Sequence, residues 1–224
     1  MLENYRIDSF GVIHQIRHKP MRYDREYLSY YENLEDRTIK LGYQRLGWLL
    51  GILGRIPKSV LEIGYGTGSF IEAAQISGVS QCVGCDVTRY PLPDNVDFMN
   101  WDESLAEDWD VVAMFDVLEH IPDLSFLRRL RAKVLAIAVP YCRWAELGDD
   151  WFRDWRMRLP DEHLHHFNPD SLCAMLASYG FECEQINTFE DGIRLRPGET
   201  GPNILCGLFQ RRHSDQPVSV FHGK

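Results

Sequence analysis

The chain has 224 residues, of which 45% are hydrophobic and 25% are charged, so its composition is that of a globular protein and not of a disordered chain. Its 24 basic and 33 acidic residues give a formal net charge of −9, which argues against broad nucleic-acid binding because such binding needs clustered cations facing phosphates. The longest nearly continuous apolar stretch, residues 48–53, is far shorter than the roughly 18–20 residues of a membrane span, so no membrane association is expected.

The cysteines and the first residues of the chain indicate the cellular compartment in which the protein is expected. MLENYRID contains neither a basic region nor an apolar segment, so no secretory signal is expected there, and six cysteines in a chain of this length do not resemble a disulfide framework. The sequence therefore predicts a cytoplasmic protein with free thiols. Cys82 and Cys85 form a C-x-x-C pair, which can bind zinc or carry redox chemistry, but the surrounding run QCVGCDV is typical of a buried strand, where cysteine packs as a small hydrophobe.

Taken in chain order, the patterns divide the sequence into three parts. Residues 1–58 are predicted to form a helical or cap segment, residues 59–211 a β/α domain, and residues 212–224 a polar tail. Within the first part, apolar side chains recur at three- and four-residue steps over about residues 33–53, which predicts a helix that ends before Gly54.

The β/α domain begins with short apolar runs that alternate with helical segments. Four runs are predicted as strands, namely residues 59–63, 82–87, 110–115 and 134–140. Helices are predicted over residues 69–78 and 122–132, and the second has a proline in its first turn. Uninterrupted apolar strands that alternate with helices indicate a parallel sheet covered on both faces.

The alternation breaks after the fourth strand, and residues 141–166 are predicted to form an inserted cap because they concentrate aromatic, arginine and histidine side chains. In the run WFRDWRMR (151–158) these side chains favour a substrate lid, with aromatics for stacking and arginines for an anionic group. The alternative is an amphipathic helix with Trp151, Trp155 and Leu159 on its buried face, and both interpretations can hold for different faces.

A helix and two strands complete the predicted domain. Asn168 is the expected N-cap of the helix, Pro169 its first residue, and Gly180 the residue that ends it. Residues 181–189 and 203–210 have the apolar character of two final strands, joined by a loop that contains glycine and proline.

The motif that carries most chemical information is VLEIGYGTGSF, residues 60–70, in which a strand runs into three glycines and then a helix. Glycines at the carboxyl end of a parallel strand let the backbone turn sharply and approach a ligand closely. Beyond these glycines, Asp86 follows the second strand, where a carboxylate can accept hydrogen bonds from both hydroxyls of a ribose. Ser69 stands where a dinucleotide-binding turn places its third glycine, which disfavours a nicotinamide or flavin dinucleotide.

The run LEIGYGTG resembles the first motif of class I S-adenosylmethionine-dependent methyltransferases. FDVLEHIPD (115–123) and EHLHHFNPDSLCAMLASYGFE (162–182) are similar to later motifs of that family, and the resemblance spans about residues 35–210. It implies an α/β fold with a doubly wound, mostly parallel seven-stranded sheet whose last strand is antiparallel, the Rossmann-like methyltransferase fold. It also implies S-adenosylmethionine as the cofactor and S-adenosylhomocysteine as the product.

The same resemblance implies a set of cofactor-binding residues, which are Glu62, Gly64, Tyr65, Gly66, Gly68, Asp86, Asp102 and Asp116. Glu62 and the glycines are expected around the amino-acid end of the cofactor, Asp86 at the ribose, and Asp102 near the adenine. Tyr65 replaces the small residue or cysteine that is common in the glycine motif, so it either shapes the methionine end of the pocket or points away from it.

A catalytic base is needed only if the acceptor is a hydroxyl or an acidic carbon, because the methyl group of a sulfonium is already activated. In that mechanism the enzyme mainly aligns the acceptor for in-line displacement and excludes water. His163, which matches a family position, and His120 are the candidate catalytic residues, ahead of His165 and His166.

A metal ion is an alternative at the same histidines. The pattern D-x-x-E-H at residues 116–120 is similar to the E-x-x-E-H run with which RNA 3′-terminal 2′-O-methyltransferases bind a divalent ion that polarises a hydroxyl. A later histidine, His163 or His166, would complete such a set. D-x-x-E-H-x-P is also common in family members that do not rely on metal, in which the glutamate and histidine organise the turn and helix. The leading interpretation therefore assigns no metal ligands.

The sequence thus predicts a methyltransferase that transfers a methyl group from S-adenosylmethionine to a small-molecule acceptor by in-line displacement, as a monomer or homodimer. The net charge disfavours nucleic acid as a partner. Three alternatives stay open: a metal-dependent RNA 2′-O-methyltransferase, an NAD-dependent oxidoreductase, and a cofactor-binding module without catalysis. No motif in residues 1–32 or in the cap identifies the acceptor molecule or its acceptor atom.

Overall fold

The computed structural model describes residues 3–21, 23, 29 and 35–212, and the chain is organised around two β-sheets. The strands are β1 (Tyr5–Ile7), β2 (Ile13–Gln15), β3 (Ser59–Ile63), β4 (Gln81–Cys85), β5 (Asp97–Phe98), β6 (Trp109–Phe115), β7 (Ala132–Pro140), β8 (His165–His166), β9 (Phe181–Asn187) and β10 (Ile204–Arg211). The helices are α1 (Glu35–Leu53), α2 (Ser69–Ile76), α3 (Trp101–Ala106), α4 (Trp144–Asp154), α5 (Pro169–Ser178) and α6 (Asp191–Arg194), with 3₁₀-helices at Leu118–His120 and Leu124–Arg128.

The larger sheet has seven strands in the order β5-β4-β3-β6-β7-β10-β9. Neighbouring strands from β5 to β7 pair in parallel, whereas β10 pairs antiparallel with both β7 and β9. The predicted fold, a mostly parallel seven-stranded sheet with an antiparallel last strand, is therefore confirmed. Every residue of β3 and β6 is buried, which explains why these strands are largely apolar runs in the sequence.

Helices cover both faces of this sheet. Leu49 of α1 and Phe70 of α2 belong to the buried cluster on one face, and Leu172 of α5 belongs to the cluster on the other. α1 comes close to α2 at Gly42, where an added Cβ would lie 2.5 Å from the carbonyl oxygen of Ser69. This approach places the middle of α1 beside the glycine-rich turn that precedes α2.

The predicted end of α1 and start of α5 are confirmed. α1 ends at Leu53, directly before Gly54, whose φ of 62° lies in the left-handed region. At the start of α5, the Asn168 side chain accepts a hydrogen bond from the backbone N–H of Ser171 at 2.8 Å, and the Ser171 hydroxyl accepts one from the backbone N–H of Asn168 at 3.0 Å. These reciprocal bonds satisfy N–H groups that have no partner within the helix.

The predicted α-helix at residues 122–132 is wrong, because this segment forms a short 3₁₀-helix, Leu124–Arg128, followed by a turn. Leu124, Leu127 and Leu130 are all buried. Leu124 and Leu127, three residues apart, lie on one face of this 3₁₀-helix, which has about three residues per turn, and Leu130 follows after the turn.

The amino-terminal segment contains a β-hairpin that the sequence patterns did not predict. β1 and β2 form this hairpin, and β8 of the cap pairs with β2 to complete a three-stranded antiparallel sheet. Tyr5 and Ile13 of the hairpin pack with Phe152 of α4 in a small buried cluster. The hairpin therefore joins the amino-terminal segment to the cap.

The helix of the cap is shorter than the amphipathic pattern suggests. α4 ends at Asp154, and the rings of Trp151 and Trp155 stack with their centroids 5.1 Å apart. Leu159 is 37% exposed, so the interpretation in which it continues the buried face of that helix is wrong.

The cysteines are free thiols, as predicted. Cys82 and Cys85 are buried in β4. Among the described residues, one group of His, Cys, Asp and Glu side chains has donor atoms close enough together for a metal ion. Neither Cys82 nor Cys85 belongs to that group. The C-x-x-C pair is therefore part of the core.

Some predictions fall partly outside the described residues. The polar tail, 212–224, is described only at Arg212, and the expected start of the first helix falls within residues 30–34, of which none is described. No helix in the described part of the chain is both long enough and apolar enough to cross a membrane.

Asp110 at the start of β6 connects three segments of the fold. Its Oδ1 lies 2.7 Å from the ammonium group of Lys133, and its Oδ2 accepts a hydrogen bond from the backbone N–H of Lys58 at 2.8 Å. The hydrogen bond from Lys133, together with that from Lys58, lowers the pKa of Asp110 from 3.8 to about 2. A carboxylate with a lowered pKa contributes stability that is present above about pH 4 and is lost as the pH falls towards 2.

We predict that Asp110→Asn lowers the free energy of unfolding by on the order of 1 kcal/mol at pH 7, because the substitution removes the charge of this carboxylate. The difference in unfolding free energy from wild type should narrow below about pH 4, because the wild-type carboxylate then also loses its stabilising effect. Asp108→Asn is the matched control, since the Asp108 side chain is 75% exposed and pairs with Arg131 at the surface, where ion pairs contribute roughly 0–1 kcal/mol. Urea denaturation across this pH range measures both variants. A difference for Asp110→Asn that stays constant down to pH 2 would contradict this role.

Candidate functional site

A large cavity lies at the carboxyl ends of β3, β4 and β6 and has a volume of about 880 Å³. Its walls come from α1, the glycine-rich turn after β3, the loops after β4 and β6, the start of α3, the cap, and residues at and after the end of α6. Ligands of open α/β sheets bind in a crevice at this edge. Of the predicted cofactor-binding residues, those that line the cavity are Glu62, Gly64, Tyr65, Gly66, Asp86 and Asp116.

The glycine-rich turn needs glycine at two positions for different reasons. Gly64 has a φ of 70°, and an added Cβ would collide with the side chain of Val117 in the loop after β6. Gly66 has a φ of 51°, and open space surrounds the point where its Cβ would lie. Gly64 thus lets two loops approach each other, while Gly66 leaves the backbone accessible to a ligand in the cavity.

Two of the predicted cofactor-binding residues lie outside the cavity wall in the described part of the chain. Gly68 closes the turn, because its N–H donates a hydrogen bond to the carbonyl oxygen of Tyr65 at 2.7 Å, and it is the N-cap of α2. The Asp102 side chain is 85% exposed and lies 3.6 Å from Arg129 at the surface. Trp101, the residue before it, lines the cavity instead.

Tyr65 forms part of the cavity wall between the glycine-rich turn and β4. Its hydroxyl donates a hydrogen bond to the carbonyl oxygen of Tyr90 at 2.6 Å. Its ring covers Gly84 so closely that an added Cβ there would lie 2.7 Å from the ring. Burial raises the pKa of Tyr65 to about 12, so the phenol is neutral at physiological pH. The ring is therefore held in one position from two sides.

Asp86 is held at the edge of the cavity by three hydrogen bonds. Its Oδ1 accepts one from the backbone N–H of Thr88 at 3.0 Å and one from the Thr88 hydroxyl at 2.8 Å. Its Oδ2 accepts a longer one from the N–H of Gly66 at 3.3 Å. The carboxylate is thus oriented in advance, and Oδ2 is the oxygen with more capacity to accept hydrogen bonds from a ligand.

Glu62 connects β3 to α2. It is 4% exposed, and its Oε2 accepts a hydrogen bond from the backbone N–H of Ile71 at 3.2 Å. Burial raises its pKa to about 8, so the carboxyl group is mostly protonated at neutral pH. The bond to the first turn of α2 sets the position of the glycine-rich turn between the two elements.

Four charged side chains, which sequence analysis did not recognise as a group, form an ion-pair network beside the cavity: Arg45, Asp116, Glu190 and Arg194. Glu190 is fully buried, the two arginines are mostly buried, and Asp116 is 33% exposed. Arg45 donates to both carboxylate oxygens of Glu190, at 2.7 and 3.0 Å, and to Asp116 at 3.1 Å. Arg194 donates to both oxygens of Asp116 at 2.7 Å and to Glu190 at 3.0 Å. Each cation therefore contacts both anions, and the network closes on itself.

The network sets both the charge and the backbone conformation of Asp116. Burial raises the pKa of Asp116, but the two arginines outweigh this effect and lower it to about 2. Asp116 also has a φ of 59°, a left-handed conformation that is uncommon for a residue with a side chain. The hydrogen bonds from Arg194 and Arg45 hold it in this conformation, from which the chain continues towards His120.

His120 and His163, the candidate catalytic residues, lie side by side with their ring centroids 4.8 Å apart. His120 lines the cavity. His163, which belongs to the cap, is 4% exposed and packs against the ring of His120. Nδ1 of His120 lies 3.0 Å from the carbonyl oxygen of Glu162, and Nδ1 of His163 lies 2.6 Å from that of Met157. Because a carbonyl only accepts, these contacts place the hydrogen on Nδ1 in both rings and leave the lone pair on Nε2. The Tyr23 hydroxyl also lies 3.0 Å from Nδ1 of His120, and with this tautomer its oxygen accepts from the same N–H.

Glu119 lies next to these two histidines. Its side chain is buried, and Oε1 is 3.9 Å from Nε2 of His120. Neither carboxylate oxygen has a hydrogen-bond partner among the described residues. Burial raises the pKa of Glu119 well above its usual value, lowers the pKa of His120 to about 3, and also lowers that of His163.

The other two histidines of the cap have different surroundings. Nδ1 of His165 lies 2.8 Å from Nδ1 of His14 in the hairpin, and its Nε2 lies 2.9 Å from the carbonyl oxygen of Ile121. His166 packs against the rings of Tyr5, Phe152 and Trp155. Both therefore hold the cap to its neighbours.

Comparisons with known proteins report the same fold. Residues 30–186 match the protein family described as a methyltransferase domain. A solved structure of the plantazolicin methyltransferase BpumL, in complex with a monoazolic desmethylPZN analog and S-adenosylhomocysteine, has 14% identity and a TM-score of 0.58 over 85% of this chain and 91% of that one. Magnesium protoporphyrin IX methyltransferase (ChlM) from Synechocystis PCC 6803 has 17% identity and a TM-score of 0.52, over 78% of this chain and 85% of that one. An S-adenosylmethionine-dependent methyltransferase from Mesorhizobium loti has 14% identity and a TM-score of 0.51, and the match covers 72% of this chain and 96% of that one. No curated protein sequence matches the chain significantly.

We predict that Glu190→Gln lowers the free energy of unfolding by about 3–5 kcal/mol, because it leaves two buried arginines facing a single carboxylate. Glu190 is fully buried between Arg45 and Arg194, and removing one charge from such a network leaves another without compensation. Glu182→Gln is the control, since Glu182 pairs with Arg212 at the surface and its loss is expected to cost less than about 1 kcal/mol. Chemical denaturation of both variants measures the difference. Equal effects at the two sites would show that the network contributes no more than a surface pair.

Proposed function

The chain belongs to the class I S-adenosylmethionine-dependent methyltransferases, and we propose that it transfers the cofactor's methyl group to a small-molecule acceptor bound in the same cavity. The observation that carries the proposal is the composition of this cavity. One wall combines the accessible backbone at Gly66 with the oriented carboxylate of Asp86, and residues of the cap form another part of the lining. The same cavity therefore offers room for the cofactor and, next to it, for the acceptor.

The residues of the first wall fit the cofactor part by part. In our proposal, the backbone of the glycine-rich turn and Tyr65 contact the amino-acid end, and Oδ2 of Asp86 accepts the hydrogen bonds of the ribose hydroxyls. Trp101 and Phe98 line the cavity beyond Asp86, where aromatic faces suit an adenine ring. Trp101 takes the adenine-side role that the sequence assigned to its neighbour Asp102, whose side chain is exposed.

S-adenosylmethionine, when bound, supplies a methyl group that is already activated on a sulfonium. The chain itself has to orient the acceptor and exclude water. Arg156, Met157 and Leu159 of the cap line the cavity, whereas Trp151, Phe152 and Trp155 pack in the small cluster with the hairpin, so we propose the lid role for Arg156 and not for the aromatic side chains. A volume of about 880 Å³ is within the size of pockets for small ligands and cofactors, which supports a compact acceptor.

His120 is the histidine that reaches the acceptor side of the cavity. Because burial keeps its ring neutral, the lone pair on Nε2 is available to a polar acceptor group. His163 does not line the cavity in the described structure, so we propose that it acts through His120 as a positioning residue.

Calorimetric titration tests the cofactor assignment. We predict that the protein binds S-adenosylmethionine and S-adenosylhomocysteine, and that Asp86→Ala weakens binding by about 1–3 kcal/mol, roughly 5- to 150-fold, because hydrogen bonds to a charged group are lost. Asp94→Ala is the control, since Asp94 is an exposed carboxylate of the same loop. Binding of NAD with no response to either methyl-donor compound would overturn the proposal in favour of an oxidoreductase.

Turnover tests whether the domain is catalytic. We predict that His120→Gln lowers kcat by at least about 100-fold on the best acceptor found in a panel of small hydroxyl compounds, while the Kd for S-adenosylhomocysteine changes less than about 3-fold. The reason is that His120 faces the acceptor and not the glycine-rich turn. Equal losses in kcat and affinity would identify His120 as a structural residue, and binding without transfer to any compound would favour a non-catalytic module.

A further inference from the structure

Arginines from three separate elements line one part of the cavity, although the chain as a whole is acidic. Arg37 lies near the start of α1, Arg156 belongs to the cap, and Arg196 follows α6. The formal net charge of the chain is −9, so this concentration of cations does not follow from its composition. Cations gathered in a cleft raise the local concentration of anions there.

The three arginines converge on the short segment that follows α6. Nη2 of Arg37 donates a hydrogen bond to the carbonyl oxygen of Arg194 at 2.9 Å, two residues before Arg196. Nε of Arg156 lies 2.8 Å from Oε1 of Glu199, and Oε2 of Glu199 accepts a hydrogen bond from the backbone N–H of Arg196 at 2.9 Å. α1 and the cap therefore meet the same few residues of this segment.

The charges of these arginines are not equally compensated. Arg156 is paired with Glu199, whereas the guanidinium groups of Arg37 and Arg196 form no ion pair with any described residue. The ion-pair network beside the cavity holds two cations and two anions and adds no net charge. Within the described part of the cap, Glu162 is the one acid that lines the cavity, so two uncompensated cations are accompanied by one carboxylate.

This part of the cavity is also where the histidine of the acceptor side lies. Met157, next to Arg156, lines the cavity, and its carbonyl oxygen lies 2.6 Å from Nδ1 of His163. The ring of His163 in turn packs against that of His120, with the centroids 4.8 Å apart. The arginines and His120 therefore border the same part of the cavity.

We propose that Arg37 and Arg196 bind a carboxylate of the acceptor, which makes the acceptor a small hydroxy acid. A guanidinium group offers several N–H donors in one plane and can bind both oxygens of a carboxylate. Two arginines and Glu162 leave a surplus of one positive charge, which suits a carboxylate monoanion better than a phosphate dianion. The site differs from the anion site expected in the run WFRDWRMR, whose one cavity-lining arginine is paired with Glu199. This inference rests on the proposed function, because the hydroxyl is the group that His120 would meet, and it adds the class of acceptor.

Matched pairs of a hydroxy acid and its neutral amide test the proposal, namely lactate and lactamide, mandelate and mandelamide, and salicylate and salicylamide. Within each pair the compounds differ in charge and hardly in size. Calorimetry in the presence of S-adenosylhomocysteine gives the Kd of each compound, and methyl transfer from S-adenosylmethionine gives kcat and KM. We expect at least one acid to bind at least about 10-fold more tightly than its amide, because a charged acceptor makes stronger hydrogen bonds to a guanidinium group than a neutral one does. The proposal is overturned if no acid reaches this preference over its amide.

Two variants locate the preference. Arg37→Gln and Arg196→Gln should each reduce the ratio of acid affinity to amide affinity at least about 5-fold and raise KM for the acid more than they lower kcat, while the Kd for S-adenosylhomocysteine changes less than about 3-fold. Lys40→Gln is the control and should leave the ratio unchanged, since Lys40 is an exposed cation of α1 that does not line the cavity. A wild-type ratio in either arginine variant that still binds S-adenosylhomocysteine would overturn the assignment.

Titration with S-adenosylhomocysteine also separates this inference from the proposed function. Wild-type protein that binds S-adenosylhomocysteine but does not prefer the acids would remove this inference alone. Wild-type protein that ignores S-adenosylhomocysteine would remove the proposed function, and a preference for acids that depends on Arg37 and Arg196 would then still leave the carboxylate site standing.

Discussion

The ion-pair network of Arg45, Asp116, Glu190 and Arg194 is the interaction on which the geometry of the cavity depends. It joins α1, the loop after β6 and α6, three elements that are far apart in the chain. Two buried guanidinium groups are tolerable only because two carboxylates neutralise them and accept their hydrogen bonds, and loss of one member leaves an uncompensated charge. The network therefore favours one arrangement of these elements, with α1 and α6 beside the glycine-rich turn.

The same network explains why the two acids of the loop after β6 differ in chemistry. Asp116 is bonded to two arginines, and its pKa lies near 2, whereas Glu119, three residues later, is buried without a hydrogen-bond partner among the described residues and its pKa is raised. One acid thus fixes the conformation of the loop and the other is left available. Glu119 and the neighbouring histidines lie at the junction with the cap, on the acceptor side of the cavity.

Local patterns predicted the parts of the molecule that local interactions determine. The strand–glycine–helix run from residue 60 to residue 70 was readable because its apolar period and its glycines are adjacent in sequence. The seven-stranded, mostly parallel sheet with an antiparallel last strand followed from the family resemblance. The hairpin of β1 and β2 was missed because strands of three residues are too short to show a period. The pairing of Arg45 with Glu190 was missed for another reason, since the two lie 145 residues apart and each resembles an ordinary surface charge in the sequence.

The central claim, that the cavity at the carboxyl ends of β3, β4 and β6 holds the methyl donor, is tested most directly by a crystal structure of the complex with S-adenosylhomocysteine. The account predicts ribose hydroxyls about 2.5–3.0 Å from the Asp86 carboxylate and the amino-acid end against the backbone of Gly64 and Gly66. It also predicts the sulfur facing the side of the cavity that His120 lines. A complex in which the ligand lies outside this cavity, or in which Asp86 still contacts only Thr88 and Gly66, would contradict it.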